Sequence, residues 1–186
     1  TGIFANSITK SGQNENIIGN ITVSSENGLA NGIFADNADI TLGGKILSSS
    51  ENSNAYGIWT ENDLFLKMLD GSEISAIAAN ENSSAQAIRS KNLYLTFDGS
   101  ATINGDLMAD AGMELNNGGN VVVNGNIEGK HLAAESTIGT VSGKMKFDSV
   151  AGLNITASVG SLEIGTSGED SGYIKVNTVE TSAKIS

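Results

Sequence analysis

The 186 residues contain one arginine, Arg89, one histidine, His131, and no cysteine. The absence of cysteine removes thiol catalysis, disulfides and thiolate metal sites together. Two carboxylate pairs, Asp36 with Asp39 and Glu61 with Asp63, are spaced to face one another across extended chain. That is the arrangement an acid and a base need around a bond cleaved by water. The same groups, in DNAD at 36–39 and END at 61–63, offer oxygen ligands to calcium, but the corresponding SKN at 90–92 places Lys91 where a ladder of ligands needs another carboxylate. His131, in GKHLAAES, has no GxSxG elbow beside it to hold a serine nucleophile. NGGN at 117–120 lacks the strand-to-helix setting in which glycine amides cradle phosphate. Carboxylates and asparagines in such places form turns. The reading is therefore a chain with no catalytic residue, no metal site and no cofactor.

Charge narrows the partners. Ten Lys and Arg against 21 Asp and Glu give a formal net charge of −11, which opposes binding to nucleic acid or anionic lipid. The nine lysines are scattered, and Lys144 with Lys146 is the closest pair. No apolar run approaches the roughly 20 residues of a membrane helix. The chain starts at Thr1, inside a repeat, so a processed product or an excised piece is expected.

The elements that must position these groups recur. TGIFA, NGIFA, YGIWT and QAIRS place a small residue before an anchor isoleucine at Ile3, Ile33, Ile58 and Ile88. A second apolar set follows at Ile8, Ile40, Leu64 and Leu93, and a third at Ile21, Ile46, Ile74 and Ile103. Each segment alternates apolar and other residues, as in ITL, LFL, LYL and VVV, which marks a half-buried strand. Gly, Asn, Asp and Ser lie between segments and turn the corners. Proline, which would delete a ladder donor, is absent.

Three short strands per circuit of 25 to 30 residues predict an all-β fold: a right-handed, single-stranded parallel β-helix of about seven rungs with little or no helix. At the strand spacing this is a rod roughly 30 to 35 Å long. The whole chain, 1–186, is read as one coil, regular over 1–105 and with shorter, less regular rungs over 106–186, the alternative being a separate antiparallel sheet after DAG at 110–112. Asn27, Asn52 and Asn82 are expected to form a stacked amide ladder.

If the anchors point inward, the next residues point out. This aligns Phe4, Phe34, Trp59 and Arg89, and in the second set Thr41, Phe65 and Tyr94. Outward aromatic strips mark contacts: sugar rings stack on flat aromatic faces, and Arg89 would add a cation near Trp59. Phe34, Trp59, Arg89, Phe65 and Tyr94 are the candidate binding residues. The opposing reading buries these strips under long corners or a neighbouring domain.

The unit xGIxAxNxxITLxG at 31–44, followed by SENSNAYG at 50–57, resembles the passenger regions of Gram-negative autotransporters and the related filamentous-haemagglutinin-like adhesins. The resemblance covers about residues 1–105 and extends to the rest in style. It implies export to the bacterial surface, a non-enzymatic stalk or adhesin, a parent protein held at the outer membrane, and glycans or host surface proteins as partners. The fragment itself is expected to be monomeric. The rival reading is a carbohydrate-active β-helix enzyme, a polysaccharide lyase or glycoside hydrolase.

Overall fold

A computed structural model describes residues 1–9, 17–165 and 173–185, with side chains placed except at 17, 133–135 and 173–185. The chain is all-β, and the described residues contain no helix. Fifteen strands form one continuous sheet, and every described ladder is parallel, as a parallel β-helix requires.

In chain order the first nine strands are β1 (Ile3–Ile8), β2 (Ile17–Ile18), β3 (Ile21–Ser25), β4 (Ala30–Leu42), β5 (Lys45–Ser50), β6 (Ala55–Thr60), β7 (Asp63–Leu69), β8 (Ser72–Ala78) and β9 (Ala85–Ser90). Then come β10 (Asn92–Asp98), β11 (Ala101–Asn104), β12 (Asp106–Asn116), β13 (Gly118–Asn124), β14 (Ile127–Ile164) and β15 (Tyr173–Ile185). The strands stack on three faces, and β4, β12 and β14 bend through corners to serve more than one.

On the first face the anchors stack as Ile3, Ile33, Ile58, Ile88, Leu107 and Ile127. The third face stacks Ile21, Ile46, Ile74, Ile103, Val123 and Val141. Both columns contain their expected residues. The second face corrects one of them: Ile8 pairs with Ala38, which pairs with Leu64, then Leu93, Met113 and Leu132. Ile40 stacks instead on Leu66, Leu95 and Leu115. This face has several inward positions per strand, so residues two apart match equally well by pattern, and pairing alone decides between them. Ile33, Ile40, Ile58, Leu64, Ile74 and Ile88 are completely buried.

The small residue before each anchor has a steric cause. A Cβ on Gly2 would stand 2.7 Å from Ile21 Cγ2, and one on Gly32 would stand 2.5 Å from Ile46 Cγ2. On Gly57 it would collide with Ile74 Cγ2 and lie 2.5 Å from the Ala87 carbonyl oxygen. At Gly2, Gly32 and Gly57 the anchor segment and the third-face isoleucine of one rung thus meet too closely for a Cβ, whereas the fourth rung holds a fully buried methyl group there, on Ala87.

The shortening after residue 105 comes from one corner and from the strands that flank it, β11 holding four residues where β8 holds seven. Six residues, 79–84, separate β8 from β9, whereas Gly105 alone separates β11 from β12. Gly105 makes that tight passage at φ 118°, a left-handed conformation costly for any other residue. Ile88 therefore pairs with Leu107, and Leu107 with Ile127, across circuits of 19 and 20 residues.

Corner side chains bind along the axis. Asn37 Oδ1 accepts the Asp63 amide at 3.3 Å, Asp63 Oδ1 accepts Asn92 Nδ2 at 2.9 Å, and Asn92 Oδ1 accepts the Gly112 amide at 3.2 Å. At a second corner Asp106 Oδ1 accepts the Asn126 amide at 2.8 Å, and Asn126 Oδ1 accepts the Lys144 amide at 2.9 Å. The expected ladder joins Asn27 to Asn52, whose Nδ2 donates to Asn27 Oδ1 at 3.1 Å. Asn82 lies in the longer, six-residue corner and closes a local turn there, its amide donating to Asn80 Oδ1 at 2.9 Å.

Gly57→Val should destabilise the fold by about 1–3 kcal/mol through overpacking, read by urea denaturation. Gly19→Ala, where the added carbon meets nothing within 4 Å, should change stability by no more than about 0.5 kcal/mol. Equal effects would remove the steric account of the repeated small residue.

Candidate functional site

The register of the first face carries the residue after each anchor into one outward column: Phe4, Phe34, Trp59, Arg89, Met108 and Glu128. Phe4 and Phe34 stack with centroids 5.4 Å apart and planes at 20°. Phe34 meets Trp59 edge to face at 5.0 Å and 75°. Phe4 is 71% exposed, while Phe34 and Trp59 are half-buried. Tyr56, absent from the sequence-based strip, packs against Trp59 at 4.9 Å and accepts a hydrogen bond from Asn54 Nδ2 at 3.2 Å. Ala55 and Ile58, both inward, are three positions apart, which breaks the period-two count at Gly57 and hides Tyr56 from it. Its signal was the aromatic-glycine pair in YGIWT.

Arg89 pairs with Trp59 in register. Its guanidinium lies 3.5 Å from Asp110 Oδ2, and both side chains are substantially solvated, so the pair contributes little stability. Beyond it, Asp110, Glu128, Lys130, Lys146 and Asp148 line a shallow depression of mixed charge, and Lys144 Nζ lies 3.2 Å from Glu128 Oε1.

On the second face Phe65 and Tyr94 stack with centroids at 4.6 Å and planes at 6°. Their column reads Asp39, Phe65, Tyr94 and Glu114, which places Asp39 where the sequence alignment put Thr41. Thr41 belongs two residues further on, in the column Thr41, Lys67, Thr96 and Asn116, and is fully buried. This is the same two-residue shift that moved Ile40. Asp39, Phe65, Leu66, Lys67, Tyr94 and Thr96 line an open depression between these two columns.

Of the remaining chemical candidates, Asp63 and His131 have structural partners. Asp63 is held in the corner ladder by Asn92. His131, the register partner of Gly112, continues that corner, with Nδ1 2.6 Å from Ser149 Oγ. Among the described residues no group of three His, Asp or Glu is placed to hold a metal ion.

The densest polar network lies on the third face. Lys45 Nζ contacts Glu73 Oε2 at 2.7 Å, and Ser75 Oγ and Asn104 Nδ2 each donate to Glu73 Oε1 at 3.0 Å. Asn124 Nδ2 extends the chain to Asn104 Oδ1 at 2.8 Å. These donors, the Lys45 hydrogen bond foremost and then Ser75, hold the Glu73 carboxyl below its ordinary value of 4.5, against a smaller opposing effect of burial.

The chain matches no family model, no curated protein and no solved structure. Its class is thus set by its own geometry, a parallel β-helix with aromatic columns on two outer faces.

A carboxylate whose folded pKa is depressed stabilises above its unfolded pKa and loses that contribution as pH falls through the folded value. Wild type should exceed Glu73→Gln in stability by a few tenths to about 1 kcal/mol near neutrality. The gap should close as pH drops below 4.5. Denaturation curves across this range check it, and a gap that widens in acid would refute the assignment.

Proposed function

We propose that this chain is a rigid, non-enzymatic segment of a bacterial surface or secreted protein, a passenger or stalk that also adheres. Its partners are glycans or host surface proteins, met by the outward aromatic columns. The observation that carries this reading is the run Phe4, Phe34 and Trp59, three aromatic residues in mutual contact over three rungs, with Phe4 71% exposed. Exposed apolar area of this kind, continuous and ordered, is characteristic of contact surfaces. The repeat resemblance to autotransporter passengers and filamentous-haemagglutinin-like adhesins supplies the setting, outside the cell and attached through a parent protein to the outer membrane.

A stalk role agrees with how the polar groups are used. Asp63, Asn92 and Asp106 bind neighbouring rungs. Side chains committed to the axial ladder stiffen the rod.

Trp59→Ala should lower adhesion to glycan or host-cell surfaces about ten-fold, the equivalent of roughly 1.4 kcal/mol, with an unchanged circular dichroism spectrum. Adhesion equal to wild type would sink the contact reading.

A further inference from the structure

We propose that the second-face depression is a subsite for a neutral oligosaccharide of hexopyranose units, laid along the rod axis across Phe65 and Tyr94. This inference rests on the contact reading above and names the ligand class for one of its two aromatic surfaces.

The ring geometry gives the platform. Phe65 and Tyr94 occupy consecutive rungs, and their centroid distance of 4.6 Å, with planes only 6° apart, is close to the strand spacing. Parallel rings in contact are separated by about 3.5 Å along their normal, so the remaining displacement must be lateral. The rings overlap like shingles, and part of each face stays open. Phe65 is 48% exposed. A shingled pair repeating at the rung spacing suits the C–H face of a chain whose own repeat, one pyranose, is of similar length.

The walls select the ligand. The depression runs between the column of Asp39, Phe65 and Tyr94 and the column of Lys67 and Thr96. One rung further on, Asn116 Nδ2 donates to Glu114 Oε1 at 2.7 Å and bridges the two columns. Thr96 and the Tyr94 phenol supply hydroxyls that both donate and accept. The Asp39 carboxylate accepts charge-assisted hydrogen bonds from sugar hydroxyls. Lys67 is the cation on the wall, and its Nζ is drawn to Asp98 Oδ2, 3.5 Å away. With Asp39, Asp98 and Glu114 around it and a formal net charge of −11 on the chain, the site disfavours an acidic sugar.

The test uses the 186-residue chain with cellotetraose, maltotetraose, laminaritetraose and chitotetraose, and with tetragalacturonate as the acidic arm. Isothermal titration and saturation-transfer NMR read the binding. At least one neutral tetraose should bind with a millimolar or tighter Kd, and tetragalacturonate at least ten-fold more weakly. Tyr94→Ala should reduce neutral binding ten-fold or more, and Tyr94→Phe, which keeps the ring, less than Tyr94→Ala. Thr96→Val provides a second variant that leaves the rings in place and should weaken binding several-fold. Circular dichroism confirms that each variant folds.

No neutral tetraose bound, equal binding of tetragalacturonate, or binding indifferent to both Tyr94→Ala and Thr96→Val overturns the subsite. Adhesion that depends on Trp59 without any neutral tetraose bound overturns the subsite alone and leaves the contact reading standing. Tetraose binding that Tyr94→Ala abolishes, in a protein that adheres to no surface, supports the subsite and overturns the adhesive role.

Discussion

Every residue of a parallel coil has its own equivalent as its nearest neighbour on the next rung, about 4.8 Å away. This one constraint governs the structure inside and out. In the core it demands apolar residues that tolerate close copies of themselves, and Ile33, Ile58 and Ile88 stack without any exposure. Beside the anchors it leaves no room, and the chain answers with Gly2, Gly32, Gly57 and Ala87. At the corners it brings backbone amides under side-chain oxygens one circuit away. Asn37, Asn92, Asp106 and Asn126 use that proximity to satisfy groups that a bend would otherwise leave unpaired.

The same constraint explains what the sequence reveals and what it hides. Anchors and third-face isoleucines are legible because each face there offers one strong position per strand next to a fixed mark, the small residue or the corner. The second face offers Ala38, Ile40 and Leu42 in a single alternating run, and alternation cannot distinguish a strand from itself moved by two. Ala38 rather than the larger Ile40 therefore stacks on Leu64, and the outward partner of Phe65 is Asp39 rather than Thr41. The later rungs hide for a different reason. With the six-residue corner replaced by Gly105 and the strand before it cut from seven residues to four, the period falls from 30 to 19 and 20, so a fixed-period alignment fails although the columns continue. The aromatic residues of the candidate site were legible by the rule that follows the anchors. Tyr56 was not, since the count slips at Gly57.

Outside, like-on-like stacking creates a tension between stability and recognition. Aromatic side chains on consecutive rungs meet each other before they meet a ligand, and such pairs contribute roughly 0.5–1.5 kcal/mol beyond their burial. Phe34 uses its two sides on Phe4 and Trp59. Phe65 and Tyr94 retain more open surface because their stack is parallel and displaced. The two strips thus differ in kind, one an interlocked cluster with an exposed end at Phe4, the other a parallel, displaced pair beside a groove.

The change at Gly105 also divides the outer surface. All the paired aromatic residues, from Phe4 to Tyr94, lie on rungs before it. After it the first-face column passes to Met108 and Glu128, with Lys130, Lys146 and Asp148 nearby. Stacked equal charges would repel at the rung spacing, so the tight rungs interleave signs and pair across rungs, as Lys144 does with Glu128. The first four rungs instead keep apolar area in two columns separated by the polar corners at 36–37 and 61–62. Exposed area of this shape is long and narrow and runs parallel to the axis, because each column grows by one residue per rung.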